Sequence, residues 1–376
     1  MPRILIVTGE ASGDLHGASL ATAIRALRPD AEILGMGGAK MRAAGVMIVH
    51  GIERLDAIGV IGVAQLRAVI RTFAVLSRFL RRTPLDAVVF IDNPELNLWL
   101  ARVARRAGHR VVYYISPQIW AWRPGRIRLI SRVVDRMIVI LPFEEVLYRQ
   151  AGVPCTFVGH PLLDAVAPSY DRAELRKRFG HDTTGPLLGL VPGSREREVR
   201  YLLPAMLQAA VQLARTHQGL RVIIAQAASI QDGLIEELSA GYGVDLRILR
   251  DQPNEVMAAA DLLLVASGTA TLQAAVIGTP MVIVYRLSWL SHWIGRKLLR
   301  INCIGLVNIV AGEQFVTELL QQDATAEGLS AEADRLLGDP AALARMRDRL
   351  RAVRDSLGEP GASRRAAAVV LAECRA

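Results

Sequence analysis

A carboxylate at the end of an apolar run is the first chemical feature of the chain. Asp92 closes Val88-Val89-Phe90-Ile91 and leads into Asn93, Pro94, Glu95 and Asn97. A carboxylate fixed at a strand end can act as general base, taking the proton of an alcohol as that alcohol attacks an electrophile. Asp92 is the first choice for this role, and Glu10, at the mouth of the first apolar run, is the second. An Asp ahead of Pro serves equally as a helix cap or Asx-turn residue, so both uses stay open. Arg195 is the complementary feature. It follows Pro192-Gly193-Ser194 at the end of Leu187 to Val191. Gly193 permits a tight turn, Ser194 can cap a helix, and the free N–H groups and positive dipole end of that helix attract an anion. The same residues also fit an ordinary capped turn in which Arg195 pairs with Glu198 or Glu196.

Two further turns can cradle a ligand. Ser267, Gly268 and Thr269 stand between an apolar run and a helical segment, with Gln273 about one turn on, and offer hydroxyl and N–H donors to a phosphate or ribose. In the N-terminal turn, Gly9, Gly13 and Gly17 are spaced four apart around Glu10, Ser12 and Asp14, which is not the GxGxxG dinucleotide fingerprint. A close-packed turn with Asp14 as a first-turn acid is the structural alternative. Gln118, Trp120, Trp122, Arg123, Arg126 and Arg128 form one aromatic and basic cluster, read as the wall of a cleft or a packing corner. Without an RNA- or DNA-binding fold signature it does not make a nucleic-acid binder. There is no DxD triplet, and the seven His show neither HxxxH nor HExxH spacing, so no metal and no cofactor is expected.

The elements that must position these groups alternate between short Val/Ile/Leu runs and helix-period segments. Runs at 4–9, 32–38, 88–92, 111–116 and 137–143 give way to a polar stretch near 167–185, after which runs begin at 187, 222, 246, 262 and 281. This is the pattern of two parallel α/β sandwiches. Ligands of such sheets lie beyond the carboxyl ends of strands, where Glu10, Asp92, Arg195 and Gly268 all fall, so a cleft between two domains is expected. The expected division is 1–165, 166–345 and a closing helical segment 346–376. With 376 residues, 52% of them hydrophobic, the chain suits two domains better than one. A net charge of +9 favours acidic partners. Cys155, Cys303 and Cys374 suggest neither a disulfide framework nor a zinc site, and the start lacks the long apolar core of a secretory signal. Leu262 to Tyr285 is uncharged and long enough to span a bilayer, but its Ser, Gly, Thr and Pro divide it into strand, turn, short helix, turn and strand.

Val60 to Arg82 holds five arginines and no acid. As a helix it would place Leu66, Val69, Ile70, Phe73, Leu76 and Leu80 on one face and Arg67, Arg71, Arg78 and Arg82 opposite. Together with the apolar lead-in 58–66 and the basic, Trp-rich segment 288–300, this reads as an interfacial membrane surface.

Taken in order, GEASGD at 9–14, IDNPELN at 91–97, YISPQIWAWR at 114–123, LPFE at 141–144, FVGHPLLD at 157–164, PGSREREV at 192–199, SGTATLQ at 267–273 and LVNIVAGE at 306–313 resemble the lipid A disaccharide synthase family over nearly the whole chain. The resemblance implies a GT-B glycosyltransferase, two Rossmann-like domains facing a cleft, working without metal on the cytoplasmic face of the inner membrane. It implies transfer of 2,3-diacylglucosamine from UDP to 2,3-diacylglucosamine 1-phosphate with inversion. By the same resemblance Asp92 matches the proposed base, Arg195 an essential arginine, Asn308 an asparagine near the donor and Glu10 the acid of the first turn. Arg123 is the candidate for the acceptor phosphate, and Ser12, Gly13, Asp14, Asn93, Gly193, Ser194, Ser267, Gly268, Thr269 and Gln273 for substrate contacts. Expected partners are the two lipid substrates and an anionic inner-membrane surface, with a homodimer allowed and no nucleic acid. Glu95, Val307 and Gln273 depart from the family's usual aspartate, proline and glutamate, and Gln273 brings an acceptor without the charge. The competing readings are a UDP-sugar epimerase of the same architecture and a non-catalytic membrane or nucleic-acid adaptor.

Overall fold

Apolar runs this continuous need cover on both faces of a sheet. The structure, a computed structural model, describes residues 1–52, 63–121, 123–181, 185–286 and 303–374, the side chains of 63–66 apart. The chain divides into two compact units, Met1–Asp164 with Leu357–Ala376, and Ala165–Ser356. In the first unit β1 (Arg3–Val7), β2 (Glu32–Gly37), β3 (Met47–Gly51), β4 (Ala87–Ile91), β5 (Arg110–Tyr114), β6 (Arg136–Val139) and β7 (Cys155–Phe157) form one parallel sheet in the order β3-β2-β1-β4-β5-β6-β7. The second unit repeats the plan with β8 (Leu187–Val191), β9 (Arg221–Gln226), β10 (Leu246–Arg250), β11 (Leu262–Ala266), β12 (Met281–Tyr285) and β13 (Glu318–Leu320), ordered β10-β9-β8-β11-β12-β13. Leu262 to Tyr285 resolves into β11, the helix Thr269–Ile277 and β12, as the punctuation predicts.

Alternating side chains feed two cores. Leu5, Val7, Val88 and Phe90 pack on one face of the first sheet, and Ile4, Ile6, Val89 and Ile91 on the other. The second face is closed by the far end of the chain, where Ala366, Ala367, Val370 and Leu371 of the helix Ala362–Glu373 join Ile4 and Ile24. Arg136 Nε fastens that helix by donating to Glu373 Oε1 at 2.8 Å. The segment read from sequence as 346–376 therefore has two allegiances. The helix Pro340–Ser356 belongs to the second unit, and the chain returns to the first from Leu357.

Each sheet reverses its winding at one place, between β1 and β4 in the first unit and between β8 and β11 in the second. There the helices after neighbouring strands lie on opposite faces, and a crevice opens beyond the strand tips. Both crevices fall on the motifs: Glu10 and Asp92 in one, Pro192 to Arg195 and Ser267 to Thr269 in the other.

Asp14, expected among the substrate contacts, has a structural task instead. It lies in the first turn of α1 (Ala11–Leu27), and its carboxylate accepts from the backbone N–H groups of Gly38 (2.6 Å), Lys40 (2.9 Å) and Met41 (3.2 Å). Those groups open α2 (Ala39–Ala43), so Asp14 caps the next helix in sequence. α3 (Val63–Arg82) forms as its periodicity predicts, but its packed face differs. Leu76 and Leu80 are buried, while Val69 and Ile70, assigned to that face, are exposed, Ile70 by 58%. The buried stripe instead takes in Thr72 and Ser77. The lead-in 58–62, Trp122 and the segment 288–300 lie outside the described residues.

Asp14→Ala removes three charge-assisted bonds at a buried site and is expected to lower the stability of the first unit by about 2 kcal/mol. Urea unfolding at pH 7 measures it, and a loss below about 0.5 kcal/mol would show that the cap is dispensable.

Candidate active site

The tip of β4 is built on unusual backbone. Asp92 and Asn93 hold φ of 47° and 43°, two successive non-glycine residues in the left-handed region. Two buried donors keep them there through three hydrogen bonds: Asn97 Nδ2 gives hydrogen bonds to Ile91 O (3.0 Å) and Asp92 O (2.8 Å), and Tyr113 Oη gives one to Asp92 O (2.6 Å). Gly9, at the tip of β1, makes room for the turn, since a Cβ there would lie 2.0 Å from Asn93 Nδ2. Gly13 does the same against Thr8, whose Oγ1 would meet its Cβ at 1.8 Å. Gly13 is therefore needed for packing, while Ser12 and Glu10 beside it are exposed.

Burial and the negative charge of Glu10 push the Asp92 carboxyl up to about 6, while the backbone N–H of Asn93 pulls it the other way. Desolvation of one carboxylate beside another is a recurrent way of preparing a base.

A third carboxylate, absent from the candidates read in the sequence, lies near them. Glu144, in the first turn of the helix Pro142–Gln150, is 2% exposed. Its Oε1 accepts from Ser116 Oγ (2.6 Å) and Trp120 Nε1 (3.1 Å), and its Oε2 is buried without a partner. Burial pushes its carboxyl up to about 7, against the pull of those two donors. Trp120 is held edge-on by Phe143, with ring centroids 5.2 Å apart. Glu144 thus fixes the turn that follows β5. The available signal was the acid of LPFE, set directly behind an apolar strand where an unpaired charge is costly.

Arg123 stands at the head of a short 3₁₀ turn with φ of 58°. Its Nη1 donates to Glu95 Oε1 at 3.2 Å, and Arg126 Nη2 holds the same carboxylate at 2.6 Å. Glu95 and Arg123 are exposed on the first unit, and the half-buried Arg126 anchors them.

In the second unit Arg195 occupies the N-cap position of the helix Glu196–Thr216, the place expected of Ser194. Its guanidinium is 81% exposed and meets Glu198 Oε1 at 3.1 Å, the local pairing that the sequence left open. Gly193, φ 115°, passes over Glu198, whose Oε2 would lie 2.6 Å from a Cβ there. Ser194 contributes its carbonyl to Ser229 Oγ at 2.6 Å. Across the switch point Gly268, φ 144°, opens the helix Thr269–Ile277, and its carbonyl accepts from Thr271 Oγ1 at 2.8 Å. Ser267 Oγ donates to Ile304 O at 3.3 Å, Thr269 is exposed, and Gln273 Nε2 donates to Asn254 Oδ1.

Asn308 is not presented to a ligand. It is 0% exposed, its Nδ2 donates to Val316 O and Glu318 Oε1 (both 2.8 Å), and its Oδ1 accepts from Phe315 N (3.2 Å) and Val316 N (3.0 Å). All four hydrogen-bonding places of the carboxamide are used within the chain, so its task is to shape the turn before β13. Among the described residues no group of three His, Cys, Asp or Glu could hold a metal ion, and no helix is long and apolar enough to cross a membrane.

Solved structures share this architecture. A UDP-GlcNAc 2-epimerase from Neisseria meningitidis bound to UDP-GlcNAc superposes with a TM-score of 0.64 at 10% identity, covering 99% of this chain and 100% of that one. CalG4, the calicheamicin glycosyltransferase, gives 0.62 at 16%, covering 99% and 98%. Two parallel α/β domains of this kind define the GT-B class, and the fold alone does not separate transferases from epimerases. Sequence does. The lipid-A-disaccharide synthetase family matches residues 4–372, and the lipid-A-disaccharide synthase of Geobacter sulfurreducens is 44% identical over 370 residues, 98% of this chain and 96% of that protein. The chain belongs to the lipid-A-disaccharide synthetase family, glycosyltransferases of lipid A biosynthesis.

Glu144 supplies a stability test with a definite sign. Its native carboxyl titrates above the unfolded one, so the native state holds an extra proton and loses stability as pH rises towards 7. Between pH 5 and pH 8 the stability of Glu144→Gln relative to the natural chain is expected to improve by about 2 kcal/mol, whatever its offset at pH 5. Parallel denaturation curves at the two pH values check it, and an unchanged difference would mean that Glu144 is ionised throughout.

Proposed function

We propose that this chain transfers 2,3-diacylglucosamine from UDP to the 6-hydroxyl of 2,3-diacylglucosamine 1-phosphate, inverting the anomeric carbon and releasing UDP. The observation that carries the reading is the Asp92 carboxyl, fixed at a switch point and raised to about 6. As the acceptor oxygen attacks C1 of the donor, its proton passes to Asp92. The C1–O bond breaks with its electron pair left on the β-phosphate of UDP. A base near 6 is mostly ionised at neutral pH yet more basic than an ordinary aspartate, the compromise that proton abstraction requires. Glu10 assists by its charge, and Asn93, next to Asp92, and Ser12, exposed in the first turn of α1, would serve the acceptor sugar.

The second unit takes the leaving group. Arg195, the turn at Gly193 and Ser194, and the amino end of the helix Glu196–Thr216 would receive the diphosphate, with Arg195 exchanging Glu198 for phosphate oxygens. Ser267, Gly268 and Thr269 offer further donors, and Gln273 an uncharged acceptor for ribose. Arg123 would meet the acceptor phosphate by giving up Glu95. The acyl chains bring the first unit to an anionic membrane at the cytoplasmic face. There α3 exposes Val69, Ile70 and Val75 among Arg67, Arg71 and Arg78, and the neighbouring α4 (Pro94–Arg106) exposes Trp99, capped by Arg102 at 5.0 Å. Apolar groups bedded in arginines suit an interfacial surface.

Asp92→Asn is expected to lower kcat about 100- to 10,000-fold in assays with both lipid substrates in detergent micelles. In the natural chain kcat/KM should fall as pH drops below about 6. Glu10→Gln removes a like charge and moves that acid limb to lower pH. A Glu10→Gln variant inactive at every pH, beside an active Asp92→Asn variant, would transfer the base role to Glu10.

Replacing Val69, Ile70 and Val75 by Ser should weaken co-sedimentation with anionic vesicles about tenfold and leave UDP affinity unchanged. Equal binding by the variant would remove α3 from the membrane contact.

A further inference from the structure

A cavity of about 190 Å³ lies wholly within the second unit, at the amino ends of β11 and β12. Ala260 and Pro280, just before those strands, line it. It is therefore at the opposite end of the sheet from the tips that carry Ser267 and Arg195. Three arginines, Arg172, Arg347 and Arg354, line it together with Ala258 and Val276, and no Asp or Glu is among the lining residues.

The three arginines differ in their ties. Arg172 is anchored, with its Nε donating to Ala259 O (3.2 Å) and its Nη2 to Ala260 O (2.7 Å) and Asp261 Oδ1 (2.6 Å). Arg347 and Arg354 stand seven residues apart on the helix Pro340–Ser356, about two turns, and so on one face. Both are half-buried, and neither has a hydrogen bond or ion pair among the described residues. The other arginines of that helix behave differently. Arg345 pairs with Asp339, Arg349 with Glu313 and Arg351 with Asp348. The two that line the cavity are the two left unpaired. Burial lowers the pKa of Arg172, and the nearby charge of Arg347 works in the same direction. Two unpaired arginines thus line a recess that has no acid in its lining, beside Arg172, whose own charge is shared with Asp261.

We propose that this cavity is an anion site for a phosphate or diphosphate group on a small soluble molecule, separate from the donor's place. Guanidinium forks match phosphate oxygens two at a time, and two forks without protein partners can do so without breaking an existing pair. The volume is below the roughly 300 Å³ at which drug-sized pockets begin, which suits the anion itself better than a whole nucleotide. The carbonyl end of the helix Thr269–Ile277, capped by Gly278 at the rim, opposes an anion with about half a unit charge. Against the two unpaired arginines, with Arg172 beside them, that opposition is outweighed.

Inorganic pyrophosphate is the probe. Because a diphosphate also suits Arg195, it is titrated calorimetrically into the full chain with UDP already saturating, at an ionic strength held constant with sodium chloride. One binding event is expected, weakened about tenfold or more in Arg347→Gln/Arg354→Gln, partly restored in Arg347→Lys/Arg354→Lys, and retained in Arg195→Ala. UDP affinity of the double Gln variant should match that of the natural chain, which separates this site from the donor reading and reports that the unit is folded. Absence of heat with the natural chain, or equal affinity in the Gln variant, would overturn the proposal. A parallel arm with phosphatidic acid vesicles tests the other source of phosphate. Vesicle binding that depends on Arg347 and Arg354, without a pyrophosphate signal, would overturn the soluble ligand in favour of a lipid headgroup.

Discussion

The chemistry proposed for the first unit depends on a backbone held where side-chain-bearing residues seldom go. Left-handed conformations at two successive residues cost on the order of 1–3 kcal/mol each, and only a surrounding structure that over-determines them keeps them populated. Here the surrounding structure is the buried carboxamide of Asn97, reaching back to two carbonyls, and the hydroxyl of Tyr113, reaching a third bond to the same turn. Without that brace the chain after β4 would relax and Asp92 would lose its position beside Glu10. The absent side chain of Gly9 belongs to the same brace, because it lets Asn93 lie against the neighbouring strand tip. The position proposed for the base is thus secured mainly by residues other than Asp92 itself.

Ionisable groups are used in two contrasting ways. Asp92 and Glu144 are carboxyls kept from full hydration, raised to about 6 and about 7, so each holds a proton more readily than it would in water. Several arginines, by contrast, keep their charge and share it with an acid: Arg172 and Arg176 with Asp261, Arg126 with Glu95, Arg136 with Glu373.

Much of this was legible in the sequence. Parallel strands buried on both faces appear as runs of Val, Ile and Leu, and so β1, β2, β4, β5, β6, β8, β9, β11 and β12 could be placed, while β10, mostly half-buried or exposed, was legible from Leu246, Ile248 and Leu249. β3, β7 and β13 could not. β7 and β13 have three residues each, and the side chains of β3 and β13 are only half-buried or exposed, so no run stands out. Asp92, Glu10 and Arg195 could be singled out because strand tips are where ligands of α/β sheets lie. Asp14 and Asn308 were harder, because a polar residue in a ligand-bearing motif looks the same whether it faces substrate or braces the loop that does. Only the partners of their oxygens and nitrogens tell the two apart. On α3 the periodicity was correct and the packed face was not. Thr72 and Ser77 are buried while Val69 and Ile70 are exposed, an inversion that a hydrophobicity pattern cannot report.

The second unit is spliced into the first between Asp164 and Leu357, and the splice is sealed where the Asp164 carboxylate accepts the Gly361 N–H. A ribosome therefore finishes the inserted unit before it has made the helix that covers one face of the first. Until Ala362–Glu373 emerges, Ile4, Ile6 and Ile24 have an uncovered side, and strands made before the insertion wait for a helix made after it. A stop codon between Leu357 and Ala362 would spare the inserted unit and strip a face from the one that carries Asp92, so late damage to the message would fall on structure synthesised before the insertion.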